Sequence, residues 1–153
     1  MSDEAGREIL VISHCLMNVL SRLQGIRGPP MPDLKGKNII QLPCPEAIYL
    51  GLDRREITRY QLEHPHYRRF CRELFVPFAD MIEQFHDKGL TIRILGVPKS
   101  PSCAADVTTI GGKGGKVTDF KHEHIPGKGV FFEEIEAELM RRNVLYSMED
   151  SQD

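Results

Sequence analysis

The chain has 153 residues, 41% hydrophobic and 27% charged, with a formal net charge of -2, which suits one domain with its own core. So even a balance gives no basic field for nucleic acid. No apolar run reaches the length of a membrane span, and the acidic, polar start "MSDEAGRE" does not read as a secretory leader. The expectation is a cytoplasmic protein with one domain over 1–153 and neither nucleic acid nor membrane as partner.

In chain order, "EILVISHC" (Glu8 to Cys15) and "NIIQLPC" (Asn38 to Cys44) are Ile-, Val- and Leu-rich runs of strand length. A helical pattern follows from about His66 to Lys88. Tyr67, Phe70, Cys71, Leu74, Phe78, Met81, Ile82 and Phe85 recur in steps of three and four, and Gly89 supplies the stop. Pro77 lies inside that pattern and is expected to kink or split the helix. "LTIRILGV" (Leu90 to Val97) is a third strand. "FFEEIEAELMRRN" (Phe131 to Asn143) is an amphipathic helix, "NVLYSM" (Asn143 to Met148) is a shorter fourth strand, and "EDSQD" is a flexible acidic end. This alternation predicts an α/β fold: a small, open, mainly parallel sheet of about four strands flanked by helices, Rossmann/flavodoxin-like.

"TTIGGKGGKVTDF" (Thr108 to Phe120) is a different kind of segment, two short β-prone runs around a glycine-rich centre, and is read as a hairpin or flap. It is not a phosphate-binding loop, because Val117 follows Lys116 where Ser or Thr belongs.

The chemistry concentrates in the cysteines. Four in a chain of this size do not make a secreted disulfide scaffold, and point instead to metal binding, catalysis or burial. Cys71 falls on or near the apolar stripe of the long helix and is read as core. Cys15, Cys44 and Cys103 each fall at or just past the C-terminal end of a predicted strand. In a parallel sheet those ends share one edge, where the ligand crevice of open α/β sheets forms. Prolines 43, 45, 98 and 101 stiffen the loops that carry two of them. No C-x₂₋₄-C pair is present, so the spacing leaves zinc and an iron–sulfur cluster both open. His14 adjoins Cys15, but neighbours on a strand point to opposite faces.

"SHCLMN" (Ser13 to Asn18), "CPE" (Cys44 to Glu46) and "SPSC" (Ser100 to Cys103) together resemble the thiouracil desulfurase family, first catalogued as a domain of unknown function. The likeness is greatest to its branch of desulfurase-related desulfidases, in which a His precedes the first cysteine. It runs from the first strand through "GKGVFFEEIEAEL" to the last. The resemblance implies a [4Fe-4S] cluster held by three cysteines, matching Cys15, Cys44 and Cys103, with one iron open to the sulfur of a small thiolated substrate. Water then replaces sulfur at carbon and hydrosulfide leaves, with no net redox change. The family's acid/base glutamate matches Glu46. Its catalytic serine matches Ser100, with Ser102 as a neighbour able to substitute. The pattern commonly continues with Gly, where this chain has Ala104 and Ala105, so a different local turn is expected there.

These residue types suit the chemistry, since a soft thiocarbonyl sulfur prefers a thiophilic metal. The alternative reading is a metal- or cluster-binding sensor or carrier without turnover, with zinc as the alternative metal. Spanning a cubane, the three sulfurs are expected about 6–7 Å apart. Lys99 and the pairs His64/His66 and His122/His124 are read as solvated. His14 is a candidate hydrogen-bond donor to substrate.

Overall fold

The computed structural model describes residues 4–23, 28–111 and 122–152. A 3-10 turn (Glu4–Arg7) leads into β1 (Glu8–Ile12), then the single-turn α1 (His14–Met17) and a second 3-10 turn (Val19–Ser21). β2 (Asn38–Gln41), α2 (Pro45–Leu50), α3 (Arg59–Leu62) and the long α4 (Pro65–Asp87) follow. The remainder is β3 (Thr91–Gly96), β4 (Val107–Ile110), β5 (Glu123–Pro126), α5 (Val130–Arg141) and β6 (Ser147–Asp150).

Four strands form one parallel sheet in the order β2-β1-β3-β6. The expected open, mainly parallel α/β architecture is therefore present. β1 is flanked on both sides: Ile12 stands opposite Gln41 of β2 and Leu95 of β3. Because the chain goes out to β2 and returns across β1 to β3, the sheet's topological switch point lies at the C-terminal ends of β1 and β3. β4 and β5 pair separately as an antiparallel ribbon. These strands flank the glycine-rich segment expected to form a flap over 108–120. Most of that segment, 112–120, lies outside the described residues.

Side chains alternate across the sheet. Ile9, Val11, Ile40, Ile92 and Ile94 join the core formed with α4 and α5. Leu10, Ile12 and Leu95 face the other way, against Leu16, Met17 and Leu34. Lower on that second face, Arg93 sits between Glu149 at 2.7 Å and Glu8 at 4.0 Å. No helix among the described residues is long and apolar enough to cross a membrane.

α4 starts as a helix should. Pro65 occupies its first turn, and the His64 imidazole accepts the Tyr67 N–H at 3.2 Å. Its end is the Gly89 stop, at φ 86°, with the Gly89 and Leu90 N–H groups donating to the carbonyls of His86 and Phe85. The helix runs through Pro77 unsplit, because its buried residues on either side are held in the core. Those residues are Tyr67, Cys71, Phe75, Ala79 and Ile82. The stripe is thus rotated from the sequence expectation: Phe75 and Ala79 carry its centre and Met81 is exposed.

Strand ends also differ. β1 stops at Ile12, and Cys15 sits in α1, so the opposite-faces argument that set His14 apart from Cys15 does not hold. β6 starts at Ser147 because Asn143, at φ 59°, turns the chain in the left-handed region while the Val144 N–H closes the end of α5 on the Leu139 carbonyl. The final residues are not a free tail as far as they are described: Asp150 and Ser151 are buried.

Cys71 is fully buried within this core, and burial pushes its thiol up to about 12. Cys71→Ala removes one buried sulfur and should cost about 1 kcal/mol in a denaturant titration. It should leave the metal content of the purified protein at the parent level.

Candidate functional site

The three cysteines all lie past strand ends at the C-terminal edge of the sheet, each placed by a different device, and of the three Cys15 and Cys44 are in contact. Past β1, Ser13 is tied to Leu95 by its own N–H and by its hydroxyl, at 3.3 and 3.2 Å. Cys15 follows in α1, with its carbonyl accepting from Arg22 Nε at 2.7 Å. Past β2, the Leu42 N–H donates to the Ile12 carbonyl at 2.8 Å, extending the ladder by one bond before Pro43 ends it. Cys44 is the N-cap of α2, where its sulfur accepts the Ala47 N–H at 3.4 Å and Pro45 opens the helix. The Cys15 and Cys44 sulfurs lie 3.7 Å apart.

Past β3, a turn over Val97–Ser100 is closed by the Ser100 N–H on the Val97 carbonyl at 3.2 Å. Pro98 takes the second position and Lys99 the third, at φ 69°. A positive third position marks a type II turn, where Gly is usual. The left-handed residue of this loop is therefore Lys99. Ala104 and Ala105 are not among the positive-φ residues and are buried, so the missing glycine of the family pattern imposes no strain there. The Ser100 hydroxyl oxygen accepts the N–H groups of Ser102 at 3.3 Å and Cys103 at 2.9 Å. It fixes the turn that carries Cys103.

Two glycines let this loop pass. A Cβ on Gly96 would lie 2.5 Å from the Cys103 carbonyl oxygen, and one on Gly129 would lie 2.3 Å from the Ser102 carbonyl carbon. The start of α5 then holds the loop: the N–H groups of Gly129, Val130 and Phe132 donate to the carbonyls of Ala104, Pro101 and Ser102. From the other side, the Asp150 carboxylate accepts from the N–H groups of Ala105, Asp106 and Val107 at 2.6, 2.9 and 3.1 Å. Asp106 returns the bond, accepting the Asp150 N–H at 3.0 Å.

Glu46 lies in the first turn of α2 and is 6% exposed. Arg54 Nε approaches its carboxylate at 3.4 Å, while the other guanidinium nitrogens donate to the carbonyls of Gly51 and Ser21. The Ser102 hydroxyl is hydrogen-bonded to the Tyr67 hydroxyl at 2.7 Å and lies beside the Glu46 carboxylate. A buried polar chain thus runs Arg54–Glu46–Ser102–Tyr67. Burial raises the Glu46 pKa, with Arg54 and Ser102 opposing it only in part. The hydrogen bond between the paired thiols pulls Cys44 below and pushes Cys15 above the ordinary cysteine value. Burial raises Cys103, Cys44 and Glu46 add to the rise, and Ser13 opposes it.

Of the residues singled out in the sequence, Cys15, Cys44, Cys103, Glu46 and Ser102 form one neighbourhood, and Ser100 braces it. His14 has its ring between two amides, Gln41 at 2.6 Å and Asn18 at 3.4 Å. His64 caps α4, and His122 and His124 are occupied with Glu56 and Thr109. Sequence reasoning missed Arg54, Tyr67 and Asp150. For Tyr67 there was a signal, because a hydroxyl on an otherwise apolar stripe needs a partner once buried. Arg54 and Asp150 carry none.

Cys15, Cys44 and Cys103 are soft donors of the kind a thiophilic metal prefers. The 3.7 Å pair matches two thiolates on one tetrahedral ion, whose sulfurs stand about 3.8 Å apart at the usual zinc–sulfur bond length. Thiolates on separate irons of a cubane stand further apart, so a cluster requires this pair to open. As they stand, no three His, Cys, Asp or Glu side chains among the described residues are grouped to hold a single ion.

Over 106 residues, 64% of this chain and 68% of the other, the sequence is 31% identical to Uncharacterized protein MJ0003 of Methanocaldococcus jannaschii. The chain belongs to that protein's family. No protein-family model and no solved structure matches it.

Two substitutions test the Cys103 loop. Lys99→Gly relieves a left-handed lysine at some cost in chain entropy, and should raise stability by roughly 0.5–1 kcal/mol, read as a higher urea midpoint at unchanged slope. Asp150→Ala leaves three N–H groups without their acceptor and should cost at least about 2 kcal/mol in the same titration.

Proposed function

We propose that this protein is an iron–sulfur-dependent, non-redox desulfurase or desulfidase that removes sulfur from a small thiolated compound as hydrosulfide. The observation that carries the reading is the Cys15–Cys44 thiol pair with one buried carboxylate, Glu46, and Cys103 on the neighbouring loop, at the switch point of the sheet. Cys15, Cys44 and Cys103 would hold the cluster. When bound, it supplies a thiophilic site that polarises a carbon–sulfur bond.

The chain's own residues supply the rest. Water gives its oxygen to carbon and sulfur departs, so two protons must be managed as the bond order passes from C–S to C–O. Glu46 is the proton carrier, its carboxyl kept basic by burial and oriented by Ser102, which Tyr67 fixes from behind. Arg54 keeps the carboxylate from swinging away, since it is itself anchored to the Ser21 and Gly51 carbonyls. Ser100 acts through Cys103, whose N–H it holds at 2.9 Å. That gives it a positioning role beside the catalytic one the family pattern implies.

One observation favours a second reading, a zinc or iron sensor or carrier without turnover: the spacing of the Cys15–Cys44 pair suits a single ion. Such a protein has no use for the proton-carrying chain behind Glu46.

The test is anaerobic purification with iron and sulfide analysis, followed by a hydrosulfide-release screen over thiolated nucleobases and small thioamides. Cys44→Ala should lose cluster and turnover together. Glu46→Gln should keep iron and sulfide at parent levels while turnover falls about 10²–10⁴-fold, the usual share of a positioned acid or base. Equal turnover in Glu46→Gln removes the proton-carrier assignment. An iron-loaded parent that releases no hydrosulfide from any of these compounds leaves the sensor or carrier reading standing.

A further inference from the structure

The Cys15–Cys44 pair has a property of its own, apart from any metal. In the parallel ladder Ile12 stands opposite Gln41, and each cysteine lies three residues beyond its member of that pair. Neighbouring strands run about 4.8 Å apart, so the register delivers the two cysteines side by side to the same edge of the sheet. Their sulfurs are 3.7 Å apart, and rotation about the side-chain bonds has to close only about 1.7 Å more. Cys15 is part-exposed, so the pair is open to a small oxidant. The other thiols are held elsewhere: Cys71 is sealed in the core, and Cys103 is buried on the loop after β3.

We infer that Cys15 and Cys44 form a reversible disulfide when the protein meets a peroxide, and that this bond and metal binding at the site exclude one another. One sulfur of the pair attacks a peroxide oxygen, the O–O bond breaks, and water leaves with a proton from solvent. The second sulfur attacks the resulting sulfenic acid. The S–S bond forms as the S–O bond breaks, and the hydroxide takes the second thiol proton as water. Two thiols and one peroxide thus give a disulfide and two waters, and the two electrons lost by sulfur reduce the peroxide. A small dithiol reverses the step by exchange. Metal binding needs both sulfurs as thiolates, so a disulfide removes two of the site's three thiol donors. That regulatory consequence rests on the function proposed above, whereas the disulfide itself does not.

The experiment uses the full chain freed of metal, treated with hydrogen peroxide, then denatured for thiol titration, intact mass and peptide mapping. Of four free cysteines, two should be lost with a mass change of two hydrogens, and a dithiol should restore them. The cross-linked peptides should be those of Cys15 and Cys44. Cys71→Ser and Cys103→Ser should each still lose two thiols, whereas Cys15→Ser and Cys44→Ser should form no internal disulfide. Protein preloaded with zinc should keep its four thiols under the same treatment. The disulfide is refuted if the parent keeps four thiols, gains oxygen without a cross-link, or links Cys71 or Cys103. Zinc-loaded protein oxidising as fast as metal-free protein refutes mutual exclusion. Hydrosulfide release is scored separately: a parent that cross-links as stated but releases none overturns the desulfurase reading alone.

Discussion

The central strand β1 is the constraint on which the site depends. Its parallel pairing on both sides, with Ile12 opposite Gln41 and Leu95, sends three chain segments off the sheet at the same edge. Parallel pairing makes this possible, since an antiparallel neighbour would return its chain to the far end. The apolar residues of β1 bury both faces of the strand, against α4 and α5 on one side and Leu16 and Leu34 on the other. A one-residue slip would exchange those faces, so the packing that stabilises the sheet also sets which residues meet at its edge.

Above that edge the molecule keeps a charged and polar chain out of water. A buried carboxylate is costly without partners, and Glu46 has Arg54 on one side and Ser102 on the other. The partners come from separate places in the fold: Arg54 from the loop after α2, Ser102 from the loop after β3, and Tyr67 from the first turns of α4. Each is held by further bonds of its own, so the carboxylate position is determined by several elements together. Such an arrangement is expected where orientation matters more than stability.

The strands and the cysteine positions were legible because both rest on local signals. Ile-, Val- and Leu-rich runs ended by Pro43 or Pro98 mark strand ends directly. Glu46, two residues past Cys44, was legible as a motif. What was hidden depends on distant partners. The strand pattern of Glu8 to Cys15 carries no mark of the turn into α1, which forms because Ser13 is pinned to Leu95 on another strand. The long helix had the right period, but Phe75 at its centre is selected by contact with Phe131 of α5, rings 6.3 Å apart, and not by spacing. Asp150 read as part of an acidic end, since nothing near it in sequence reveals the three N–H groups it receives. Ser100 was legible as a motif residue, but its work of bracing Cys103 shows only in the folded turn.

The Asp150 clasp has a consequence for how the molecule is made. Chains emerge from the ribosome from the N-terminus onward. Cys15, Cys44 and Cys103 are therefore all synthesised before the strand that steadies the third of them. Until β6 adds to β3, the segment after Cys103 lacks the carboxylate that gathers its N–H groups. The loop that carries Cys103 is therefore the last of the three cysteine-bearing segments to gain its full set of hydrogen bonds.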